Sequence, residues 1–448
     1  MEMSSTIVNE SPNKTKPKKR RIQIDVFTGF RGISAIWVFL FHRSIKSESE
    51  VDIIHLEWIG MTGQVGVALF FALSGFIMVW VYGECRFTSA RCYWSFIGRR
   101  VARLLPLYYF SMVLSIYDGK CMWNSENPCQ GRDWLAIIFT IIPIRSWTIF
   151  NISQLLWNPP LWSVQTEFFF YLSFPFLLRL TRYLLKTTSF VLLAEDTHRK
   201  QALKRIGIMW IVTSIISAIP IIIRLATPDH LEMSVLYRGQ TVAYYTPYAR
   251  IPEFILGMLT CILFIIYTNK SKEEPASTDV TTLLIEKDET KQRNEKVSWF
   301  KQFRANYKYW YILLELYFLL QTIFFFIIRS PLLGGGKTIN KYDDIITFGP
   351  FIGLIMCSNL YLYAKYPWSL VSQILVTKLL VNMGDISYAF YCFVEALPKL
   401  TVLFLGTVET SAIMRFWAGI GIAAFGHHYI EIIIYNWANK RLPRCTCS

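Results

Sequence analysis

The 448 residues are 53% hydrophobic and 16% aromatic, only 17% are charged, and the formal net charge is +15. Soluble domains rarely combine such values with many apolar runs of spanning length, so composition argues against a soluble enzyme and for an all-α, polytopic membrane bundle. The positive charge does not read as nucleic-acid binding, because Lys and Arg cluster in short segments between apolar runs, where they set topology and attract anionic lipid.

In chain order, residues 1–23 form a basic tail, with six Lys/Arg between Lys14 and Arg21. It has no apolar core followed by a small-residue cleavage site, so insertion is expected to start with the first spanning helix. Apolar runs then fall at 24–42, 64–83, 101–117, 161–178, 206–226, 250–268, 309–328, 345–364, 384–405 and 411–435, which predicts ten spanning helices within a transmembrane domain of residues 24–435. The segment 134–150 is apolar but interrupted by Pro143 and Arg145. If it spanned, the basic segment 179–205 would face outward. The charge bias therefore favours a re-entrant segment, with both termini cytosolic. Residues 269–308 are polar and mixed in charge, and read as a flexible cytosolic loop. Residues 436–448 form a second cytosolic tail. A multi-pass protein of the secretory pathway or plasma membrane follows if the source is eukaryotic. Oligomeric state is not legible.

The first apolar run, FTGFRGISAIWVFLFH, carries Arg31 and His42. Charged side chains in spanning segments are costly and mark function by default. Eleven residues at 100° each return the chain to nearly the same face, about 16 Å along the axis. Arg31 can hold an anionic group away from water, and a neutral imidazole can take a proton from a hydroxyl near neutral pH. Read blandly, His42 is an interfacial histidine and Arg31 pairs with a carboxylate.

Six blocks occur in order: GFRGISAIWVFLFH, GVALFFALSGFIM, RRVARLLPLYY, LWSVQTEFFFYLSFP, RIPEFILGM and GDISYAFY. Together they resemble the acyltransferase 3 family of integral membrane O-acyltransferases, from about residue 25 to about 435. The resemblance implies transfer of an acyl group, often acetyl, from cytosolic acyl-CoA to a hydroxylated acceptor. Acyl-CoA is then a donor substrate rather than a resident cofactor. It also implies that Arg31 and His42 are the essential R-x10-H pair, with His42 as the general base. Arg100 and Arg103 match the family's RxxR, and CoA phosphates are their natural partner; as topology signals or lipid-headgroup contacts they need no ligand. Glu167 matches a family glutamate and either orients an acceptor hydroxyl or pairs with a buried arginine such as Arg250. Arg250 and Glu253 face the same choice. Trp162 stacks on a sugar ring or anchors a helix at the interface. Thr28, Ala68 and Val394 depart from the family pattern, with Glu395 following Val394. Two other readings remain: a transporter, or a catalytically silent homologue serving as sensor or scaffold.

Other signals carry less. GGGKT at 334–338 lacks the first glycine and the strand-to-helix setting of a phosphate loop. His427 and His428, adjacent and so on different faces, read as packing or a polar contact, and no metal site is expected. Ser74 and Gly75 read as close-packing residues. Cys121 and Cys129 share a predicted lumenal loop and form a candidate disulfide, and Asn151 opens a glycosylation sequon. Cys445 occupies a prenylation-like position whose neighbours are poor aliphatic residues, so S-acylation or no modification is expected.

Overall fold

The computed structural model describes residues 19–44, 63–115, 131–148, 158–226, 245–270, 309–328, 350–367, 369–397 and 412–443. Cys121, Cys129, Asn151, the 334–338 glycines, Cys445 and nearly all of the 269–308 loop lie outside them. The described residues are all-helical. In order they form α1 (Lys19–Ser44), α2 (Gln64–Tyr82), α3 (Ala90–Ser115), α4 (Gly131–Ile141), α5 (Trp162–Leu185), α6 (Asp196–Ala226) and α7 (Pro247–Lys270). These are followed by α8 (Tyr309–Ile328), α9 (Pro350–Lys365), α10 (Leu370–Leu375), α11 (Lys378–Asp385), α12 (Ser387–Phe393), α13 (Ala412–Phe425) and α14 (Ile432–Arg441).

Among the described residues, five helical segments are long and apolar enough to cross a membrane: Val65–Tyr82, Pro159–Leu185, His198–Pro220, Pro247–Thr268 and Met414–Arg441. The count of ten read from the apolar runs is not reached by this measure. Helices α1 and α3, at 26 residues each, have spanning length and carry the arginines of interest. The run 384–405 differs from expectation. Its described part, 384–397, holds the last two residues of α11, a break at Ile386, the short helix α12 and a turn at Val394 and Glu395.

Helices α2 and α7 cross with their backbones almost in contact. A Cβ added at Gly75 would lie 2.0 Å from the Phe254 carbonyl oxygen, and one at Gly257 would lie 1.9 Å from that of Ala72. No side chain fits there, so the expectation that Gly75 packs closely holds. The same device joins α1 to the broken segment, where a Cβ at Gly384 would fall 1.9 Å from the Thr28 carbonyl oxygen. Aromatic rings lock the remaining seam: Phe39 of α1 lies 5.5 Å from Phe390 of α12 and 5.4 Å from Phe416 of α13.

The segment read as re-entrant contains α4, whose 11 residues rise only about 16 Å against a hydrocarbon core of about 30 Å. The chain leaves the helix over residues 142–147, and the polar groups around this exit find protein partners. Tyr108 and Tyr109 of α3 donate to the Thr140 and Ile141 carbonyls at 2.6 and 2.8 Å. The Gln165 side chain accepts from the Ser146 amide at 2.8 Å and donates to the Tyr108 hydroxyl at 2.8 Å. The Trp147 indole donates to the Gln165 carbonyl at 2.9 Å. The segment is thereby stitched onto α3 and α5.

The turn between α2 and α3 carries a disulfide between Cys85 and Cys92, which no sequence signal singled out. Arg182 at the end of α5 reinforces it by donating to the Cys85 carbonyl at 2.9 Å and to that of Gly83.

Candidate active site

Helices α1, α2, α3, α5 and α12 enclose a cavity into which they deliver Arg31, Ser74, Arg103, Glu167, Tyr171 and Tyr391. Two of the sequence-predicted arginines and the predicted glutamate thus meet in one space. Arg31 lies close enough to feel the charges of Arg103, Glu431 and Glu167. Glu167 accepts a hydrogen bond from Ser74 at 3.1 Å and another from Tyr171, one turn along α5. Ser74 is therefore more than packing: its hydroxyl helps hold the carboxylate in place.

Arg103 is partly exposed to the cavity, and its Nε lies 3.7 Å from Oε1 of Glu431, a loose ion pair. The other oxygen of Glu431 meets His427 Nδ1 at 2.9 Å. His427 thus makes the polar contact expected of it. Glu431 closes a π-type turn, Gly426–Glu431, inserted between α13 and α14. Such turns add a residue to the helix and recur at functional sites.

Moving along α5 from Glu167 to Ser163, four residues and about 6 Å of rise, the cavity reaches Ser163 and Tyr391. Ser163 donates to the Tyr391 hydroxyl at 2.6 Å, and Tyr391 donates to the Pro160 carbonyl at 2.9 Å. Four residues beyond Tyr391 stands Glu395, whose Oε1 is 3.4 Å from Nδ1 of His42. His42 does not line the cavity, but its carboxylate partner sits one turn from a residue that does.

The other predicted residues are elsewhere. Arg100 is separated from Arg103: it is buried, with its guanidinium 5.0, 5.6 and 5.4 Å from the rings of Tyr82, Phe96 and Tyr171. Only Arg103 of the RxxR pair opens onto the cavity. Arg250 forms a buried ion pair with Glu253, Nη1 to Oε1 2.6 Å, beneath the rings of Phe71 and Trp162. Trp162 also packs edge-on with Tyr245, centroids 5.1 Å apart. Sequence reasoning missed Ser74, Tyr171, Tyr391 and the role of Glu431. The four-residue spacing of Glu167 and Tyr171 could have revealed that pair. The others depend on how helices far apart in sequence pack.

This geometry sits largely in a segment with known relatives. Residues 24–195 match the acyltransferase domain family. The matched span contains Arg31, His42, Arg100, Arg103 and Glu167. Acyltransferase MdmB of Streptomyces mycarofaciens is 28% identical over 168 residues, which are 36% of this chain and 41% of that protein. Protein 2 in picA locus of Rhizobium radiobacter is 33% identical over 122 residues, 27% of this chain and 58% of that one. The chain therefore covers about two-fifths and under three-fifths of these relatives' lengths. No solved structure matches it significantly.

Proposed function

We propose that the protein is a membrane-embedded O-acyltransferase that moves an acyl group, acetyl in the simplest case, from acyl-CoA to a hydroxyl acceptor. The observation that carries this reading is the meeting of Arg31 and Arg103 in a cavity that runs towards Tyr391, one turn short of the His42–Glu395 pair. The acyltransferase-domain match over residues 24–195, which hold Arg31, His42 and Arg103, supports it.

Glu167 and Glu431 already balance Arg31 and Arg103 in part; a CoA phosphate is a further anion that two converging guanidiniums can hold. With the phosphates at the arginines, the pantetheine arm would extend along α5 and bring the thioester towards His42. Positive-inside bias would put the arginine end on the cytosolic side, where acyl-CoA is made. In the reaction, His42 takes the acceptor's hydroxyl proton as that oxygen bonds to the thioester carbonyl carbon. The C–S bond then breaks, and the imidazolium returns the proton to the departing CoA sulfur. The acceptor is a hydroxyl-bearing carbohydrate, lipid or small molecule.

The test is CoA release from acetyl-CoA by purified protein, using membranes of the cells that make it as the acceptor source. Wild type is expected to release CoA. His42→Ala is expected to lose about 10²–10⁴-fold of that rate, the contribution of a general base. A folded His42→Ala protein as fast as wild type would overturn the base assignment. Binding of acetyl-CoA with no turnover in any membrane would favour a silent sensor.

A further inference from the structure

We infer that Glu395 is the positioning residue of His42: it engages the Nδ1 side of the imidazole and leaves Nε2 to take the acceptor's proton. The inference rests on the acyl-transfer reading above and assigns within it a residue beyond the segment of family similarity, which ends at residue 195.

Geometry carries it. The Glu395 side chain is 6% exposed and its Oε1 faces His42 Nδ1 at 3.4 Å, while the His42 side chain keeps 22% exposure. His42 is one of the partners of this buried carboxylate. The imidazole, by contrast, keeps an accessible edge, as a proton acceptor must. The partners come from elements that cannot drift apart. Phe39, three residues before His42, contacts Phe390, five residues before Glu395, and both pack on Phe416, at 5.4 and 5.8 Å. Just before α12, Gly384 at the end of α11 lies so close to the Thr28 carbonyl of α1 that no side chain would fit between them. Glu395 is also tied to the cavity, because Tyr391, one turn earlier, lines it and packs against Phe70.

The chemistry follows from the distinct nitrogens of histidine. A carboxylate at Nδ1 fixes the tautomer with hydrogen on Nδ1, so the lone pair is on Nε2. It then stabilises the imidazolium as the proton arrives, without taking that proton itself. The departure noted in the sequence at Val394–Glu395 thereby gains a purpose: the polar group needed by the base is supplied from the turn after α12.

The test compares full-length wild type with Glu395→Gln, Glu395→Asp and His42→Ala in detergent, each checked for a monodisperse elution profile. One readout is CoA release from acetyl-CoA with the membrane acceptor source. The other is carbethoxylation of His42 by diethyl pyrocarbonate at one fixed pH, read by peptide mass spectrometry, which needs no acceptor. Removing the carboxylate leaves the ring without a fixed tautomer and makes Nε2 a poorer nucleophile, so carbethoxylation of His42 should slow relative to the other histidines. The rate constant kcat should fall about 10- to 100-fold with KM for acetyl-CoA unchanged, and Glu395→Asp should restore much of it. An unchanged modification rate in Glu395→Gln overturns the inference, as does a slowed rate with wild-type turnover. A rise in KM with the modification rate unchanged makes Glu395 merely structural and overturns it too. If His42→Ala keeps the wild-type rate, the base assignment fails first, whatever Glu395 does.

Discussion

Two arginine–glutamate pairs in this bundle use the same side chains in opposite ways. Arg250 and Glu253 lie three residues apart on α7, 2.6 Å from one another, almost fully buried and covered by aromatic rings. Arg103 and Glu431 come from α3 and the π turn after α13, stand 3.7 Å apart, and share a space with Arg31 and Glu167. The first pair is closed: a bidentate-capable cation is spent on a carboxylate one turn away, and its work is to hold α7 against α2 and α5. The second is open: its guanidinium is held only loosely by the protein and lines the cavity where the proposed CoA phosphate would bind. Tightness and burial of the pair, rather than residue type, set the two apart.

Substitutions can break or sharpen that contrast. Arg250→Ala should be the most damaging to stability, about 3–5 kcal/mol, because Glu253 would be left buried and alone. The paired change Arg250→Met with Glu253→Leu should recover most of it, as read by thermal unfolding in detergent. Retained stability in the single variant would mean the lock is not closed. Arg103→Ala should do the reverse: unfolding temperature nearly unchanged, and kcat/KM for acetyl-CoA lowered about 100-fold, or about 2.7 kcal/mol. A stability loss with unchanged kcat/KM would turn Arg103 into a second lock. Arg100→Lys tests the residue between the two classes. Loss of its stacking on Tyr82, Phe96 and Tyr171 should cost about 1 kcal/mol of stability and leave KM alone. A raised KM would return Arg100 to the phosphate site. Smallest should be Glu431→Gln, which frees Arg103 from its internal partner and should lower KM for acetyl-CoA by about threefold, under 1 kcal/mol. A higher KM would show that Glu431 aligns Arg103 rather than competing for it.

Much of this was legible because helices and pairs on one helix follow from periodicity. The apolar runs locate the helices, and the eleven-residue spacing puts Arg31 and His42 on one face of α1. Arg250 with Glu253 is likewise a local pair, within reach on any helix. Arg100 and Arg103 show where that logic thins. Three residues turn the helix by 300°, so the two side chains diverge by about 60°, enough to send one into the cavity and the other into an aromatic box. Ser74, Tyr391, Glu395 and Glu431 meet their partners across 93, 228, 353 and 328 positions of sequence, and no period encodes such contacts. The break at Ile386 falls within residues 382–387, whose polar and glycine residues gave no periodic sign of where one helix would end and the next begin.

The π turn has a consequence for which changes this helix can tolerate. In it the Ile432 amide bonds back to the His427 carbonyl, five residues earlier instead of four. That one surplus residue works as a phase shifter between α13 and α14. Deleting a single residue there would let an ordinary α-helix close the gap and rotate everything beyond it by about 100° relative to α13. Glu431 would swing away from Arg103, although every side chain named in the cavity would still be present. Length at this point is therefore under tighter constraint than identity, and a deletion should silence the cavity where a substitution of His428 would pass unnoticed.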